Sequence, residues 1–246
     1  YCYKTTDMEQ NLSKKTRTES DLIGSREVPE SALYGVQTLR GIENFRISKF
    51  HLNEYPLFIQ ALAITKMGAA VANRELDLLT EEQADAILKA CKEILEGKHH
   101  DQFPVDMIQG GAGTTTNMNA NEVIANRALE LMGHQRGEYQ YCSPNDHVNR
   151  SQSTNDAYPT AIHIGLYYTH LKLVKHFEVL IESFRKKATE FAHVIKMGRT
   201  QLEDAVPMTL GQTFNGFASI LRHEVKNLDF AAQDFLTVNM GACLLY

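Results

Sequence analysis

Apolar side chains recur at helical spacing through the second half of the chain. The first stripe runs from Ile162 to Ile195 in steps of four and three residues, and Thr169 is its one polar member. The steps repeat every 11 residues, or about 3.67 residues per turn, which is typical of a long helix. They predict a helix from Ala157 to Lys196, which at 1.5 Å per residue is about 60 Å long.

A second apolar stripe predicts another long helix. It runs from Leu210 to Phe235 at the same helical spacing. Two such helices cannot bury their stripes against each other alone, because each stripe needs neighbours along its whole length. The pattern therefore predicts an all-α fold, with a helical bundle that is shared between copies of the chain.

Three regions are predicted along the chain. Residues 1–18 are polar throughout and are expected to form a disordered tail. Residues 19–155 carry shorter periodic segments and are expected to form a mixed, mostly helical domain. Residues 156–246 are expected to form a central helical-bundle domain that is incomplete in this chain.

The helices predicted within residues 19–155 are recognised by the residues that begin and end them. Thr80 and Gln83 fit a capping box, in which each side chain binds a backbone N–H of the other residue. The helix that follows is expected to stop at Gly97. The other predicted helices are Pro56–Leu76 and Asn117–Met132.

Composition excludes several classes of function. The 25 Lys and Arg residues against 30 Asp and Glu residues give a net charge of −5, which disfavours nucleic-acid binding. No apolar run is long enough to cross a membrane, and no signal peptide is visible at the start, so a cytoplasmic protein is expected. No metal-binding or cofactor motif is found, and a partial HExxH pattern has Asn227 at its last position. The cysteines lack CxxC spacing and are expected to be free thiols; they are Cys2, Cys91, Cys142 and Cys243.

Three polar stretches lie at the ends of predicted helices. The first, the glycine stretch, is GGAGTTTNMNANEVIANRA at residues 110–128. Its glycines let the backbone approach a ligand, and the helix that follows would aim free N–H groups at an anion. It is neither a P-loop nor a dinucleotide-binding motif, because the required residues do not follow. An ordinary glycine-rich turn is the alternative.

The second, the serine stretch, is VNRSQSTNDAYPTA at residues 148–161. Asp156 is the predicted N-cap of the long helix, and Pro159 falls in the first turn, where a missing N–H is tolerated. Capping explains one polar side chain and leaves Ser151, Ser153, Thr154 and Asn155 unexplained.

The third, the junction stretch, is GRTQLEDAVP at residues 198–207, a predicted loop between the two long helices. It lies at the far end of the helix that the serine stretch begins. A site that uses both ends of so long a helix cannot form within one chain. The three stretches are therefore expected to meet only between different copies.

The polar stretches and their surroundings resemble the aspartase/fumarase superfamily. The likeness rests on GAGTTTNMNANEVIANRALELMGHQRGEYQY, NDHVNRSQSTNDAYPTA and KMGRTQLEDAVPMTLGQ, and on the opening ESDLIGSREVPESALYGVQTLRGIENF. The resemblance covers residues 19–242. It implies a homotetramer with a central bundle of long helices, with each active site built from three subunits.

The resemblance also implies a reaction, the reversible elimination of ammonia from L-aspartate to give fumarate, and no cofactor. It implies that Thr114, Ser153 and Thr154 hold the β-carboxylate of the substrate. Asn155, Thr200 and Gln201 would surround the amino group. The family's serine base and its carboxylate-binding lysine belong to a GSSxMPxKxN loop, which this sequence does not contain. The chain is therefore expected to be truncated and inactive alone.

Two alternatives remain open within the same superfamily. Fumarate hydratases usually carry His at the position of Gln201, where it suits a hydroxyl substrate and a proton relay. Gln201 can donate and accept hydrogen bonds but cannot carry a proton, which favours an ammonia-lyase. A non-catalytic helical assembly protein is the other alternative, because superfamily relatives serve as structural lens proteins.

Overall fold

The computed structural model describes residues 15–241, which fold into two compact units. The first unit contains residues 15–161 and 239–241, and the second contains residues 162–238. The fold is mostly helical, as predicted. The helices are α1 (Val36–Asn44), α2 (Pro56–Glu75), α3 (Glu81–Leu95), α4 (Thr114–Leu131), α5 (Thr154–Glu190) and α6 (Leu210–Ala232). The strands are β1 (Thr16–Asp21), β2 (Gly24–Pro29), β3 (Ile195–Thr200) and β4 (Glu203–Thr209).

An antiparallel hairpin of β1 and β2 opens the first unit, with Thr16 paired to Pro29. Its turn is closed by Asp21, which accepts hydrogen bonds from two backbone N–H groups and from the Arg40 guanidinium at 2.8 and 2.9 Å. The predicted disordered tail is therefore wrong for residues 16–18, where cross-strand pairing and this turn impose order. Residues 1–14 lie outside the described part of the chain.

Two buried carboxylates hold the start of α1. Glu122 of α4 accepts the N–H groups of Gly35, Gln37 and Thr38 at 2.9, 2.8 and 3.0 Å. Glu19 of β1 accepts the N–H of Val36 at 3.0 Å. The free N–H groups that open every helix carry partial positive charge, so carboxylates stabilise them. These bonds join β1, α1 and α4.

The core of the first unit lies between α2, α3 and α4. Thr80 and Gln83 form the predicted capping box at the start of α3. The apolar residues between these helices are at most 1% exposed; they include Ile59, Leu62, Ile87, Ile94, Ile124 and Leu129. At about 25 cal/mol per Å² of buried apolar surface, this packing is the main stabilising contribution of the unit.

In the second unit, α6 packs along the later part of α5. The Phe184 ring packs against Phe214 and Phe217, with centroid distances of 6.0 and 5.6 Å. Further along, His170 bonds to Asp229 at 2.9 Å. The predicted pair of adjacent long helices is confirmed within this unit.

The end of α5 and the segment after it differ from the prediction. The helix spans Thr154–Glu190 rather than Ala157–Lys196, and an antiparallel hairpin of β3 and β4 replaces the predicted loop. A bulge at Gly198 shifts the register between the two strands. The hairpin pairs backbone groups that a loop would leave to water, because β3 and β4 bond to each other across a two-residue turn. No helix within residues 15–241 is both long and apolar enough to cross a membrane.

Candidate functional site

The glycine stretch places Thr114 at the first position of α4, three residues before the predicted start. Gly113 is the N-cap, with φ +82°, and Gly111 has φ +72°. Only glycine adopts this left-handed conformation at little cost, which is why the helix begins here. Ahead of the helix, Gln109 accepts the N–H of Thr116 at 2.8 Å and donates to its hydroxyl at 2.7 Å.

The remaining first-turn N–H groups are free. Within the described residues, the N–H groups of Thr114 and Thr115 have no hydrogen-bond acceptor. The Thr114 side chain is exposed. Free N–H groups at a helix start, together with the helix dipole, favour an anion.

Two aromatic rings fix the backbone of the glycine stretch. A Cβ atom on Gly110 would lie 3.3 Å from the Phe45 ring, and one on Gly113 would collide with the Tyr158 ring. Tyr158 itself packs edge-on against Phe58, with the ring centroids 5.8 Å apart. The glycine stretch is thus held in one backbone conformation by its neighbours.

The serine stretch is capped differently from the prediction. Ser153, not Asp156, is the N-cap of α5, because α5 begins at Thr154. The Ser153 hydroxyl accepts the N–H of Asn155 at 3.2 Å, and the Asp156 carboxylate accepts the N–H of Ser153 at 2.9 Å. The two bonds resemble a capping box, except that the Ser153 hydroxyl accepts from the second residue of the helix rather than the third. The Ser153 hydroxyl proton remains available for another acceptor, and Asn155 is exposed.

The glycine and serine stretches meet within one chain. Asn117 donates to the Thr154 hydroxyl at 3.2 Å and to the Asn149 side chain at 3.1 Å. The expectation that the stretches meet only between copies is therefore wrong for these two. It rested on the length of the helix that separates the serine stretch from the junction stretch, and it did not consider that the starts of α4 and α5 are neighbours.

A buried lysine beneath these contacts was missed by the sequence analysis. Lys66 of α2 is 0% exposed. Its Nζ donates to the side-chain oxygens of Asn117, Asn149 and Gln152 at 2.7, 2.9 and 2.9 Å. A signal was present, because Lys66 falls at helical spacing with the apolar residues Ile59 and Ala63.

The surroundings of Lys66 disfavour its charged form. Burial lowers its pKa to about 7, while Cys91 and Asp156 act in the opposite direction. Burial also raises the pKa of the Cys91 thiol to about 12, so Cys91 is neutral beside the lysine. One oxygen of the buried Asp156 carboxylate, Oδ2, has no hydrogen-bond partner among the described residues. The charged form of Lys66 is therefore less favoured than that of an exposed lysine.

The junction stretch lies in the second unit, at the turn of the β3–β4 hairpin. Thr200 pairs with Glu203, and the turn between them is formed by Gln201 and Leu202, with φ +50° and +69°. Gln201 is exposed, and the Leu202 side chain is 98% exposed. A left-handed conformation at both turn residues suits the twist of a two-residue hairpin, although glycine or asparagine is usual there.

The first unit therefore presents a set of donors that suits a carboxylate. The Asn117–Thr154 contact joins the start of α4, which carries Thr114, to the start of α5, which carries Ser153, Thr154 and Asn155. These four residues are called the carboxylate cluster below. Thr200 and Gln201 belong to the second unit. Such donors bind negative charge without themselves removing a proton.

Comparisons with known proteins give a consistent result. The lyase family model matches residues 24–246. Aspartate ammonia-lyase of Escherichia coli strain K12 is 56% identical over 232 residues, which are 94% of this chain and 48% of that protein. Aspartate ammonia-lyase of Helicobacter pylori strain J99 is 54% identical over 93% of this chain and 49% of its own length. The chain thus spans about half the length of these relatives.

Solved structures share the fold. A fumarate lyase:delta crystallin from Brucella melitensis matches with a TM-score of 0.90 and 51% identity, over 93% of this chain and 53% of that one. A class II fumarase from Schistosoma mansoni matches with a TM-score of 0.85 and 36% identity, over 91% of this chain and 47% of that one.

Proposed function

Because the chain belongs to the lyase family, we propose that the protein is an aspartate ammonia-lyase, which removes ammonia from L-aspartate to give fumarate. The observation that carries the proposal is the contact of Asn117 with Thr154 at 3.2 Å. It brings the free N–H groups at the start of α4 next to the hydroxyls at the start of α5. Relatives with this activity are 54% and 56% identical to the chain.

The proposed role of this cluster is to stabilise charge on the β-carboxylate. A base removes a proton from the carbon beside that carboxylate, and the electron pair moves onto its oxygens before ammonia leaves. The carboxylate then carries nearly two negative charges. Thr114, Ser153 and Thr154 donate hydrogen bonds to it, and preorganised donors aimed at developing charge are a large part of enzymatic rate acceleration.

The amino end of the substrate is proposed to meet Asn155, Thr200 and Gln201. A neutral amide oxygen accepts a hydrogen bond from the ammonium group and adds no positive charge beside it. For this reason Gln201 suits ammonia as the leaving group better than water. Fumarate hydratase is the weaker candidate, since the fumarase match is 36% identical.

The general base is proposed to lie outside these 246 residues. The family's GSSxMPxKxN loop supplies a serine base and a lysine for the α-carboxylate, and the sequence contains no such loop. Loss of a general base typically lowers the rate by a factor of about 10² to 10⁴. The activity is thus proposed for a protein of the full length of the relatives.

A cytoplasmic homotetramer with shared active sites is also proposed. The long helices expose large apolar side chains, including Val179 of α5 at 69% and Phe230 of α6 at 82%. Large apolar side chains exposed along both helices favour an interface with other copies of the chain. Thr200 and Gln201 would then reach the carboxylate cluster of a different copy.

The experiment compares two versions of the protein. One is the 246-residue chain, and the other continues it with the C-terminal section of the Escherichia coli aspartate ammonia-lyase. Fumarate absorbance is followed with saturating L-aspartate, and turnover is expected only from the longer version. Thr154→Val in that version should lower turnover about tenfold or more, since one lost donor to developing charge has this effect or a larger one. Hydration of fumarate to malate without deamination of aspartate would contradict the proposal.

A further inference from the structure

Lys66 is the one lysine or arginine among the described residues that is fully buried, and it lies beneath the side chains that join the starts of α4 and α5. It is 0% exposed, and its three hydrogen bonds use all three protons of the ammonium group. All three acceptors are neutral amide oxygens. None of the three hydrogen bonds goes to a carboxylate, and the buried Asp156 carboxylate acts on the ammonium group through space only.

The three acceptors belong to the parts of the chain that form the cluster. Asn117 lies in the first turns of α4, whereas Asn149 and Gln152 lie just before α5. Asn149 also donates to the Gln152 carbonyl at 3.0 Å, which closes the turn ahead of α5. From Lys66, Asn117 extends the chain of hydrogen bonds to the Thr154 hydroxyl. A single ammonium group therefore sets the distance between the two helix starts.

We propose that Lys66 is a positioning residue of the carboxylate site, which it serves in two ways: its hydrogen bonds orient Asn117 toward Thr154, and its buried charge attracts the bound carboxylate. The proposal rests on the proposed function of the same cluster. The ammonium does not touch the substrate, because the amide side chains lie between them. Its charge acts through a medium of low polarity, where electrostatic attraction is stronger than in water.

A purely structural lysine would differ in one measurable respect. Its hydrogen bonds would hold the fold together, but the affinity for an anion would not follow its charge. Burial gives Lys66 a pKa of about 7, so its charge changes in an accessible range. The proposal therefore predicts that the cluster binds a dicarboxylate more weakly as Lys66 loses its proton.

Few other titratable groups lie near Lys66 that could change the affinity for a dicarboxylate near neutral pH. Cys91 faces it from α3 and has a pKa of about 12. Asp156 faces it from α5, and α4 presents the amide of Asn117. His147 lies in the preceding turn and bonds to Gln83; burial lowers its pKa below the ordinary 6.5, so it is mostly neutral above that pH.

The experiment measures fumarate binding to the 246-residue chain by NMR, through the backbone amide signals of Thr114 and Thr115. Fumarate is chosen because it is a dianion throughout the range from pH 6.5 to 8.5. The wild-type affinity is expected to fall several-fold over this range. Lys66→Met should bind about tenfold more weakly at pH 6.5, in keeping with the loss of an electrostatic contact to a charged group, and without dependence on pH. Lys89→Met, which removes an exposed lysine of α3, should behave as wild type.

The outcomes separate the two proposals. If wild type binds fumarate and Lys66→Met binds it equally well, the role of Lys66 is contradicted and the site stands. If wild type shows no binding, the carboxylate site itself is contradicted, and the role of Lys66 with it. If Lys66→Met does not fold, the wild-type titration decides alone, since an affinity that stays constant from pH 6.5 to 8.5 contradicts the proposal.

Discussion

The side chain of Asn239 donates a hydrogen bond of 2.9 Å to the backbone carbonyl of Asn155. In a regular helix this carbonyl would accept the N–H of the residue four positions later. That residue is Pro159, which has no N–H and lies inside α5 rather than in its first turn. Asn239 thus supplies the donor that the proline lacks, at a residue proposed to bind substrate.

Removal of this donor should destabilise the protein only while the proline is present. Asn239→Ala is expected to lower the free energy of unfolding by about 1 kcal/mol, the usual net contribution of such a bond. In a Pro159→Ala background the helix satisfies the carbonyl itself, so the same change should cost much less. Urea unfolding of the four proteins gives the coupling energy directly. Equal costs in both backgrounds would mean that Asn239 does not replace the missing donor.

Gly113 and Gly133 allow the energetic cost of backbone strain to be distinguished from that of steric crowding. They have nearly equal φ values, +82° and +83°, but a Cβ atom would meet the Tyr158 ring at Gly113 and nothing at Gly133. Gly133→Ala should cost about 1 kcal/mol, from the left-handed backbone alone. Gly113→Ala should cost about 1 to 3 kcal/mol more, because overpacking forces side chains from their preferred rotamers. Thermal unfolding of both variants tests this, and similar costs would show that Tyr158 moves aside freely.

The turn of the β3–β4 hairpin is expected to gain stability from glycine. Leu202 has φ +69° and is 98% exposed, so its side chain contributes strain and no packing within the unit. Leu202→Gly should stabilise the hairpin by up to about 1 kcal/mol. Amide hydrogen exchange of β3 and β4 measures the change.

Leu22 provides the control for the hairpin prediction. It is also fully exposed at a hairpin turn but lies outside the left-handed region. Leu22→Gly should give no gain, since glycine only increases the freedom of the unfolded chain there. A similar gain in stability at both positions would show that relief of backbone strain at Leu202 is not the cause.

Local patterns predicted the helices well and their ends less well. Thr80 and Gln83 are three residues apart, so their capping box could be recognised directly from the sequence. The sequence does not identify Ser153 as the N-cap, because Asp156 is an equally good cap. Only the actual start of α5 decides between them. The β3–β4 hairpin was missed because Gln201 and Leu202 are poor turn residues, and strand pairing overrides that preference.

The candidate site, too, could be predicted from the sequence only in part. The hydroxyls and glycines of the glycine and serine stretches stand out, because polar residues cluster there beyond what capping requires. Lys66 does not stand out, since its three partners lie 51, 83 and 86 residues away in sequence. Contacts over such distances follow from the packing of α2 against α4 and against the turn before α5, which no local pattern reveals. Whether the six substrate-binding residues meet one ligand stays a prediction.

The pH dependence of stability should report the burial of Lys66. Its pKa is lowered from 10.5 to about 7, so between these values the unfolded chain binds more protons than the folded one. Stability therefore rises with pH in this window. Above pH 9 the trend should reverse, because burial raises the pKa of both Cys91 and Cys142 from 9.0 to about 12. The folded chain then keeps two thiol protons that the unfolded chain loses, which outweighs the one proton that folded Lys66 has released.

Urea unfolding at pH 7, 8 and 9 isolates the contribution of the lysine. From the two pKa values, the wild-type free energy of unfolding should rise by about 2 kcal/mol between pH 7 and pH 9. Lys66→Met removes the titrating group and should show no such rise, whereas Lys89→Met on the exposed face of α3 should retain it. A flat wild-type profile would mean that Lys66 stays charged when folded. The three amide oxygens would then stabilise the ammonium enough to offset its removal from water, and the lysine would contribute a constant charge to the carboxylate site across this range.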